Sequence, residues 1–192
     1  MQIREEEENG GVKDLSVGIQ CRPTVGLIKH LKDTYIKQNV KKEKIKLEME
    51  KNNRVGITCS CFDMFHAGHI KMLQEAKDNC DYLVVALQTD PTIDRPEKNK
   101  PIQSLVERYI QVSGCKYVDE IIPYQTEEEL KEIFLSFKLD VRIIGSDYFG
   151  KEFTAKDICA NRNIEIYYNN RDHNFSSTEL KKRIKEQYEN NS

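Results

Sequence analysis

Long apolar runs, a surplus of one charge and a dinucleotide-binding glycine pattern are all missing from this sequence. No apolar stretch approaches the ~20 residues of a membrane-spanning helix, so we expect no membrane span. The net charge is −2, which gives no overall basic surface for nucleic acid or for a membrane. No G-x-G-x-x-G follows the first predicted strand, which argues against a dinucleotide-binding oxidoreductase.

Secretion and zinc signals are also missing. The N-terminus, Met-Gln-Ile-Arg followed by four Glu, does not resemble a secretory signal, so we expect a cytoplasmic protein. Cys59 and Cys61 form a C-x-C pair inside a predicted strand, and no second pair lies at zinc spacing. We interpret the six cysteines as small apolar residues in a reducing compartment and predict no protein-bound metal site.

Residues 54–69 carry the strongest chemical signal in the chain. The β-branched, apolar run from Val55 to Cys61 predicts a strand, and the apolar positions after residue 69 recur at helical spacing. His66 and His69 lie between the two, with a glycine before the second. At the start of a helix both imidazoles would face the same way, beside free backbone N–H groups and the positive end of the helix dipole. This arrangement predicts an anion site suited to the phosphates of a nucleotide.

Strands and helices alternate from residue 54 onward. The predicted strands are Val55–Cys61, Tyr82–Gln88, Tyr117–Pro123, Val141–Gly145 and Ile164–Tyr168. The predicted helices after the first cover residues 104–113, 127–137, 153–161 and 177–189. This alternation predicts an α/β fold with a doubly wound, five-stranded parallel sheet, in which ligands bind beyond the carboxyl ends of the strands.

Three segments divide the chain. Residues 1–23 are acidic and then mixed, and we expect a flexible tail. Residues 24–52 show apolar positions at helical spacing in a Lys/Glu-rich context, which predicts an amphipathic helical extension docked on the main domain or on a partner subunit. A membrane-surface helix is the alternative interpretation of that segment. Residues 53–190 form the predicted catalytic domain.

The decapeptide S-C-F-D-M-F-H-A-G-H, residues 60–69, resembles the G-[TS]-F-D-x-x-H-x-G-H signature of the nucleotidylyltransferase superfamily, and of its cytidylyltransferases in particular. The resemblance covers about residues 54–185 and is nearest to the glycerol-3-phosphate cytidylyltransferases. It implies a Rossmann-like sheet of the HUP type. Ser60 stands where the family has Gly and Cys61 where it has Thr, so Ser60 would need a backbone shape that Gly adopts easily. The nucleotide-binding residues implied here are Cys61, Phe62, Asp63, His66 and His69.

A second stretch, residues 171–178, resembles the family's R-T-E-G-I-S-T-[TS] signature. The matching positions are Arg171, Ser176, Ser177 and Thr178. Residues 172–175 depart from T-E-G-I, which weakens the implied preference for CTP. Ser176 and Glu179 also have the spacing of a capping box that opens the last helix. A helix N-terminus with hydroxyl groups, preceded by an arginine, is a second phosphate site.

Further family positions fall on the loop after the second strand and at the end of the fourth strand. Lys100, with Lys98 as its competitor, matches a phosphate-binding lysine. Arg108 matches an arginine for the substrate, or else pairs with an acidic neighbour. Gly145 and Asp147 resemble the G-x-D-[WY] element, in which Asp147 accepts from the nucleotide or substrate, or caps the next helix.

The resemblance implies an enzyme that transfers a nucleotidyl group, CMP from CTP, to a small phosphorylated acceptor such as glycerol 3-phosphate, with release of pyrophosphate. Both reacting oxygens are already ionised, so positioning and charge stabilisation carry the catalysis. The catalytic residues implied are His66, His69, Lys100 and Arg171, and Lys100 and Arg108 would bind the acceptor. Mg²⁺ would enter with the triphosphate. The family also implies a homodimer.

Alternatives remain open from the sequence. Phosphocholine, phosphoethanolamine or a sugar phosphate is the next acceptor, and ATP in an adenylyl transfer is the other nucleotide. A nucleotide-binding or scaffold module without catalysis is the alternative from another class. Retention of the two histidines, Arg171 and Ser176 argues against that third interpretation.

Overall fold

The computed structural model of the protein describes residues 40–52, 54–170 and 174–189. The predicted tail, residues 24–39 of the predicted extension, and Arg171 lie outside those residues. The described part of the extension is a helix, α1, over residues 40–51. Ile45 and Met49 on α1 are buried and join a core cluster of the main domain. This helix therefore packs on the catalytic domain through its apolar face.

Five strands alternate with helices after α1. The elements are β1 (Val55–Ser60), α2 (Ala67–Asp78), β2 (Tyr82–Gln88), α3 (Leu105–Ser113), β3 (Glu120–Tyr124), α4 (Glu127–Ser136), β4 (Val141–Gly145), α5 (Lys156–Asn161), β5 (Glu165–Asn169) and α6 (Ser177–Glu189). The strands form one sheet in the order β3-β2-β1-β4-β5, and every neighbouring pair is parallel. The predicted Rossmann-like α/β fold is confirmed.

Helices cover both faces of this sheet. Leu73 of α2 and Val112 of α3 lie in one buried cluster, and Leu130 of α4 and Cys159 of α5 lie in the other. Both faces of the sheet are covered, so four of the six residues of β1 and six of the seven residues of β2 are buried. Among the helices that the structure describes, none combines the length and apolar character needed to cross a membrane.

The direction of winding reverses at β1. The chain runs outward from β1 to β2 and β3, and then crosses back to place β4 on the other side of β1. The carboxyl ends of β1 and β4 therefore open a crevice, which is where sheets of this type bind their ligands.

Two predicted boundaries were wrong for local reasons. The third strand begins at Glu120 rather than Tyr117, because a turn precedes it in which the backbone N–H of Val118 donates to the carbonyl of Cys115 over 3.1 Å. The fifth helix begins at Lys156 rather than near residue 153, because Ala155 has a left-handed backbone with φ of 63°. A residue in that conformation cannot continue a right-handed helix.

Candidate active site

The two signature histidines lie at the start of α2 and hold each other in place. His66 is the N-cap residue, with an extended backbone, and its Nδ1 accepts from the N–H of Gly68 over 3.1 Å. The Nδ1 of His69 accepts from the N–H of His66 over 3.3 Å, which completes a reciprocal capping box. The two rings stack with centroids 4.0 Å apart. These bonds satisfy helix N–H groups that otherwise lack acceptors.

Capping also decides where each ring carries its proton. An Nδ1 that accepts a hydrogen bond is unprotonated, so the proton of each neutral imidazole is on Nε2. The Nε2 of His66 lies 3.2 Å from the hydroxyl oxygen of Ser177, which lies 3.4 Å from the carbonyl oxygen of Asp63. With the proton on Nε2, His66 donates to Ser177 and Ser177 donates to Asp63. The arrangement therefore places the proton of each ring on Nε2, and in the free protein the Nε2–H of His66 is directed at Ser177.

The backbone of the loop before α2 differs from the expectation for Ser60. Ser60 ends β1 in ordinary strand geometry, and the residues with positive φ are Phe62, at 49°, and Met64, at 51°. Non-glycine residues adopt this conformation only where their surroundings hold them in it. Phe62 is fully buried, and its ring centroid lies 5.3 Å from that of His69. The loop turns after the family's glycine position, so a serine there is compatible with the turn.

Arg108 is buried beneath this loop, with 2% of its surface exposed. Its guanidinium donates to the carbonyl oxygens of Cys61 at 2.8 Å, Gln88 at 2.7 Å, Thr89 at 2.6 Å and Gln103 at 3.2 Å. These bonds tie the ends of β1 and β2 to the loop before α3. The structure thus places the predicted substrate arginine inside the scaffold, and it pairs with backbone carbonyls rather than with an acidic neighbour.

Asp63 ties the histidine loop to the same segment. Its carboxylate accepts from the backbone N–H of Ile102 at 3.0 Å and of Gln103 at 2.9 Å. In return, the N–H of Met64 donates to the side-chain oxygen of Gln103 over 2.7 Å. Asp63 therefore orders the histidine loop by joining it to the segment before α3.

A cavity of about 880 Å³ opens beside the histidines at the switch point. Its lining includes seven of the predicted site residues. They are His66, His69, Gly145, Asp147, Ser176, Ser177 and Thr178. The hydroxyl of Ser176 accepts from the N–H of Glu179 over 3.1 Å, as expected for the residue that caps α6. The structure therefore brings the ends of β1 and β4 and the starts of α2 and α6 around one space.

Asn169 is a lining residue that the sequence did not reveal. It ends β5, opposite Gly145 on β4, and 1% of its surface is exposed. Its amide nitrogen lies 3.5 Å from the carbonyl oxygen of Met72, and its Oδ1 has no donor within the described chain. A buried carbonyl without a donor has an unmet hydrogen bond. The sequence does contain a signal for this residue, because two consecutive asparagines, Asn169 and Asn170, stand at the end of a strand rich in apolar and aromatic residues.

A second cavity, of about 680 Å³, adjoins the first on the side of β2 and β3. The two share lining residues at the ends of β1 and β4 and at the start of α6, including Ser60, Ile144 and Ser177. Lys98 and Lys100 both line the second cavity. Lys100 is 79% exposed along its side chain, and its Nζ lies 3.9 Å from a carboxylate oxygen of Asp90. The structure therefore places Lys100 at the wall of the second cavity, mostly in solvent and beside Asp90.

Cysteines and carboxylates near the site do not form a metal cage. Within the described residues, no three His, Cys, Asp or Glu side chains are placed to hold a metal ion. Burial raises the pKa of the Cys59 thiol to about 11 and also raises the pKa of Cys61, so both stay protonated near neutral pH. A Mg²⁺ ion in this site would take its ligands chiefly from a triphosphate and from water.

Comparisons with known proteins agree with this geometry. The family described as cytidylyltransferase-like matches residues 57–183. A glycerol-3-phosphate cytidylyltransferase of Bacillus subtilis is 37% identical over 128 residues, which are 67% of this chain and 95% of the relative. The bifunctional protein HldE of Campylobacter curvus is 30% identical over 141 residues, which are 73% of this chain but 29% of the relative.

A solved structure shows the same fold. It is a lipopolysaccharide core biosynthesis protein from Thermoplasma volcanium, with a TM-score of 0.53 and 26% identity, and the match covers 62% of this chain and 98% of that one. The family match spans more than half of the chain, and a relative of nearly the same domain length exceeds 30% identity. The protein therefore belongs to the cytidylyltransferase-like family and is a nucleotidyltransferase of the EC 2.7.7 type.

Proposed function

We propose that the protein transfers CMP from CTP to a small phosphorylated acceptor such as glycerol 3-phosphate and releases pyrophosphate. The observation that carries this proposal is the pair of stacked imidazoles, each with its Nδ1 capped by a backbone N–H, at the edge of the 880 Å³ cavity. The relative from Bacillus subtilis bears the name of this activity.

The reaction is an in-line displacement. A phosphate oxygen of the acceptor attacks the α-phosphorus of CTP and forms a new P–O bond. The bond from the α-phosphorus to the bridging oxygen breaks, and its electron pair leaves with pyrophosphate. The Nε2–H groups of His66 and His69 donate to the phosphoryl oxygens on which charge accumulates, and the positive end of the α2 dipole supports the same charge.

Lysine and arginine side chains neutralise the remaining charge. Lys100 approaches the acceptor phosphate from the second cavity, and Arg171 is assigned to the triphosphate from its place in the second sequence motif. Arg108 acts through the loop that it holds, rather than by touching substrate. Mg²⁺, when bound with the triphosphate, neutralises charge on its β- and γ-phosphates.

The cytosine lies in the first cavity, on the side of β4 and β5. The carboxylate of Asp147 and the Oδ1 of Asn169 are acceptors on that side, and an exocyclic amino group supplies the matching donor. The acceptor then occupies the second cavity, with its phosphate at the wall that the two cavities share.

Pyrophosphate release tests the proposal. The full chain is incubated with Mg²⁺, each of the four nucleoside triphosphates, and small phosphates that include glycerol 3-phosphate. Release with CTP and one acceptor is the expected result. Release with ATP alone would replace the nucleotide, and folded protein that binds CTP but releases nothing with any acceptor would contradict the transfer.

Homodimer formation is a separate proposal, supported by an exposed apolar stripe. Ile102, Val106 and Ile110 follow one another at intervals of four residues, and all three are exposed. A second copy packed on this stripe would remove it from water. Light scattering should give a mass near twice 22.5 kDa, and a mass of one chain would contradict the dimer.

A further inference from the structure

The second cavity contains a polar cluster beneath the loop that carries Lys100. Gln88 at the end of β2 and Arg142 on β4 both line it, with 3% and 4% of their surfaces exposed. Arg95, Glu127 and Thr154 complete the cluster. Polar side chains so deeply buried need defined partners, and their hydrogen bonds indicate what a ligand must supply.

The acceptor atoms of this cluster are used within the protein. One carboxylate oxygen of Glu127 receives the amide of Gln88 at 3.2 Å and the guanidinium of Arg95 at 2.9 Å. The other oxygen receives the hydroxyl of Thr154. The side-chain oxygen of Gln88 also receives Arg95, at 2.8 Å. A ligand ammonium group, which can only donate, therefore meets a carboxylate whose oxygens already accept three hydrogen bonds, and so does the one proton that a ligand hydroxyl donates.

In this cluster, hydrogen-bond donors exceed the acceptors that remain for them. The Nε–H of Arg95 is buried and has no acceptor within the described chain. Arg142 is sandwiched between the rings of Phe134 and Phe153, at 4.8 and 4.6 Å, and donates to the carbonyl of Thr154. Its guanidinium forms no ion pair with any residue that the structure describes. The cluster thus contains two guanidinium groups and one carboxylate.

The rest of the lining does not reverse that balance. Charged side chains around this cavity comprise five cations and four anions. Of the anions, Asp63 is held by two backbone N–H groups and Glu152 pairs with Lys156 at 2.7 Å. An excess of buried positive charge calls for an anionic ligand group.

We infer that this cluster receives the end of the acceptor farthest from its phosphate, and that this end carries a carboxylate. The inference rests on the proposed nucleotidyl transfer and specifies its acceptor as a phosphorylated hydroxy acid. A carboxylate has only acceptor atoms, so it matches the unpartnered Nε–H of Arg95 and the positive charge of Arg142. Acceptors with an ammonium head group, such as phosphoethanolamine, carry the wrong charge for this site.

Two acceptors that differ at a single group test the inference. 3-Phosphoglycerate and glycerol 3-phosphate, taken with the same configuration at the central carbon, share three carbons and a terminal phosphate and differ only in having a carboxylate or a hydroxymethyl group at the other end. With CTP and Mg²⁺, we expect kcat/KM to be about tenfold or more higher for 3-phosphoglycerate, the effect of one charge-assisted hydrogen bond. Equal or higher kcat/KM for glycerol 3-phosphate would overturn the inference and leave nucleotidyl transfer intact.

Variants locate the effect within the cluster. Arg95→Gln and Arg142→Met should each lower the ratio of the two kcat/KM values by about tenfold. Both acceptors are measured on one preparation, so a loss of folded protein lowers both values and leaves their ratio unchanged. Arg54→Gln is the control, because Arg54 pairs with Glu165 at the amino end of β1, away from both cavities. An unchanged ratio in both cluster variants would refute the assignment.

Failure of the proposed function gives a different result. The wild-type chain would then release no pyrophosphate from CTP or ATP with either acceptor. A ratio that is measurable but unaffected by the variants counts against the carboxylate site alone.

Discussion

The two helix N-termini at the nucleotide cavity are built in different ways. The start of α2 rests on a buried scaffold, in which Arg108 and Asp63 hold the loop and each histidine is capped by a backbone N–H. The start of α6 meets that loop through the hydroxyl of Ser177, and α6 buries none of its residues. The imidazoles that we propose to face developing charge are thus held in place before substrate binds, whereas the opposite wall is formed by a helix without a buried residue.

This difference has a functional reason. Stabilisation of a transition state is most effective when the donors need no reorganisation at the moment of reaction. We therefore expect the start of α6 to move aside for substrate entry and product release, and to become more stable when a triphosphate bridges it to α2.

Replacement of His66 by Asn should have the largest effect. Asparagine is among the best N-cap residues, so α2 keeps its cap, but the imidazole Nε2–H donor is lost. We expect kcat/KM for pyrophosphate release to fall by about 10²–10³-fold, as for loss of one oxyanion donor. The free energy of unfolding should change by less than about 1 kcal/mol. Near-full activity in this variant would contradict the role of His66.

Arg108→Met should weaken the α2 side of the site by lowering the stability of the fold. Its loss leaves four carbonyl groups of the scaffold without their donor, so we expect the free energy of unfolding in urea to fall by about 3 kcal/mol or more. Lys100→Met is the control, since that side chain is exposed and should lower activity without a loss of stability. A stable Arg108→Met variant would show that the α2 side is no better anchored than α6.

Ser177→Ala should have a smaller effect on the α6 side. Removal of this hydroxyl breaks the link between His66 and Asp63, and we expect kcat/KM to fall by about tenfold, the effect of one hydrogen bond.

In the wild-type chain, hydrogen exchange of the first-turn amides of α6 should slow when CTP binds, while that of the α2 amides changes little. If the first-turn amides of α2 and α6 exchanged equally slowly without CTP, the two helices would not differ in how firmly they are held.

High pH should produce the smallest effect. Burial raises the pKa of Cys59 and Cys80 to about 11 from 9.0, so the folded protein holds protons that the unfolded chain releases above pH 9. Stability is therefore fully present below pH 9 and decreases as the pH rises toward 11. Urea midpoints between pH 8 and 11 should show this decrease, and Cys59→Ala should reduce it. A urea midpoint that rises between pH 8 and 11 would show that burial does not hold these thiols in the protonated form.

How much of this the sequence could predict depends on whether the determining contacts are local. β-Branched runs and the motif around His66 predicted the sheet and the helix that follows β1, because both are set by neighbouring residues. The third strand was placed too early, since Tyr117 and Val118 have strand-forming side chains but lie in and beside a turn. Arg171 lies outside the described residues, so its role stays a prediction.

Other features depend on contacts between residues far apart in the chain. Arg108 bonds to Cys61, 47 positions away, and Glu127 bonds to Gln88, 39 positions away. Nothing near Arg108 in the sequence distinguishes a scaffold arginine from one that binds substrate. The polar cluster of the second cavity is likewise assembled from β2, β4, the start of α4 and two loops, so no local sequence pattern predicts it.

The proton positions on His66 and His69 test the account most directly. Long-range ¹H–¹⁵N spectra of the histidine side chains, recorded on the free protein near pH 8 and assigned with the His66→Asn variant, distinguish the two neutral tautomers. We predict the Nε2–H form for both rings, unchanged when CTP is added. An Nδ1–H form, or a tautomer that changes on nucleotide binding, would contradict a catalytic pair fixed before the substrate arrives.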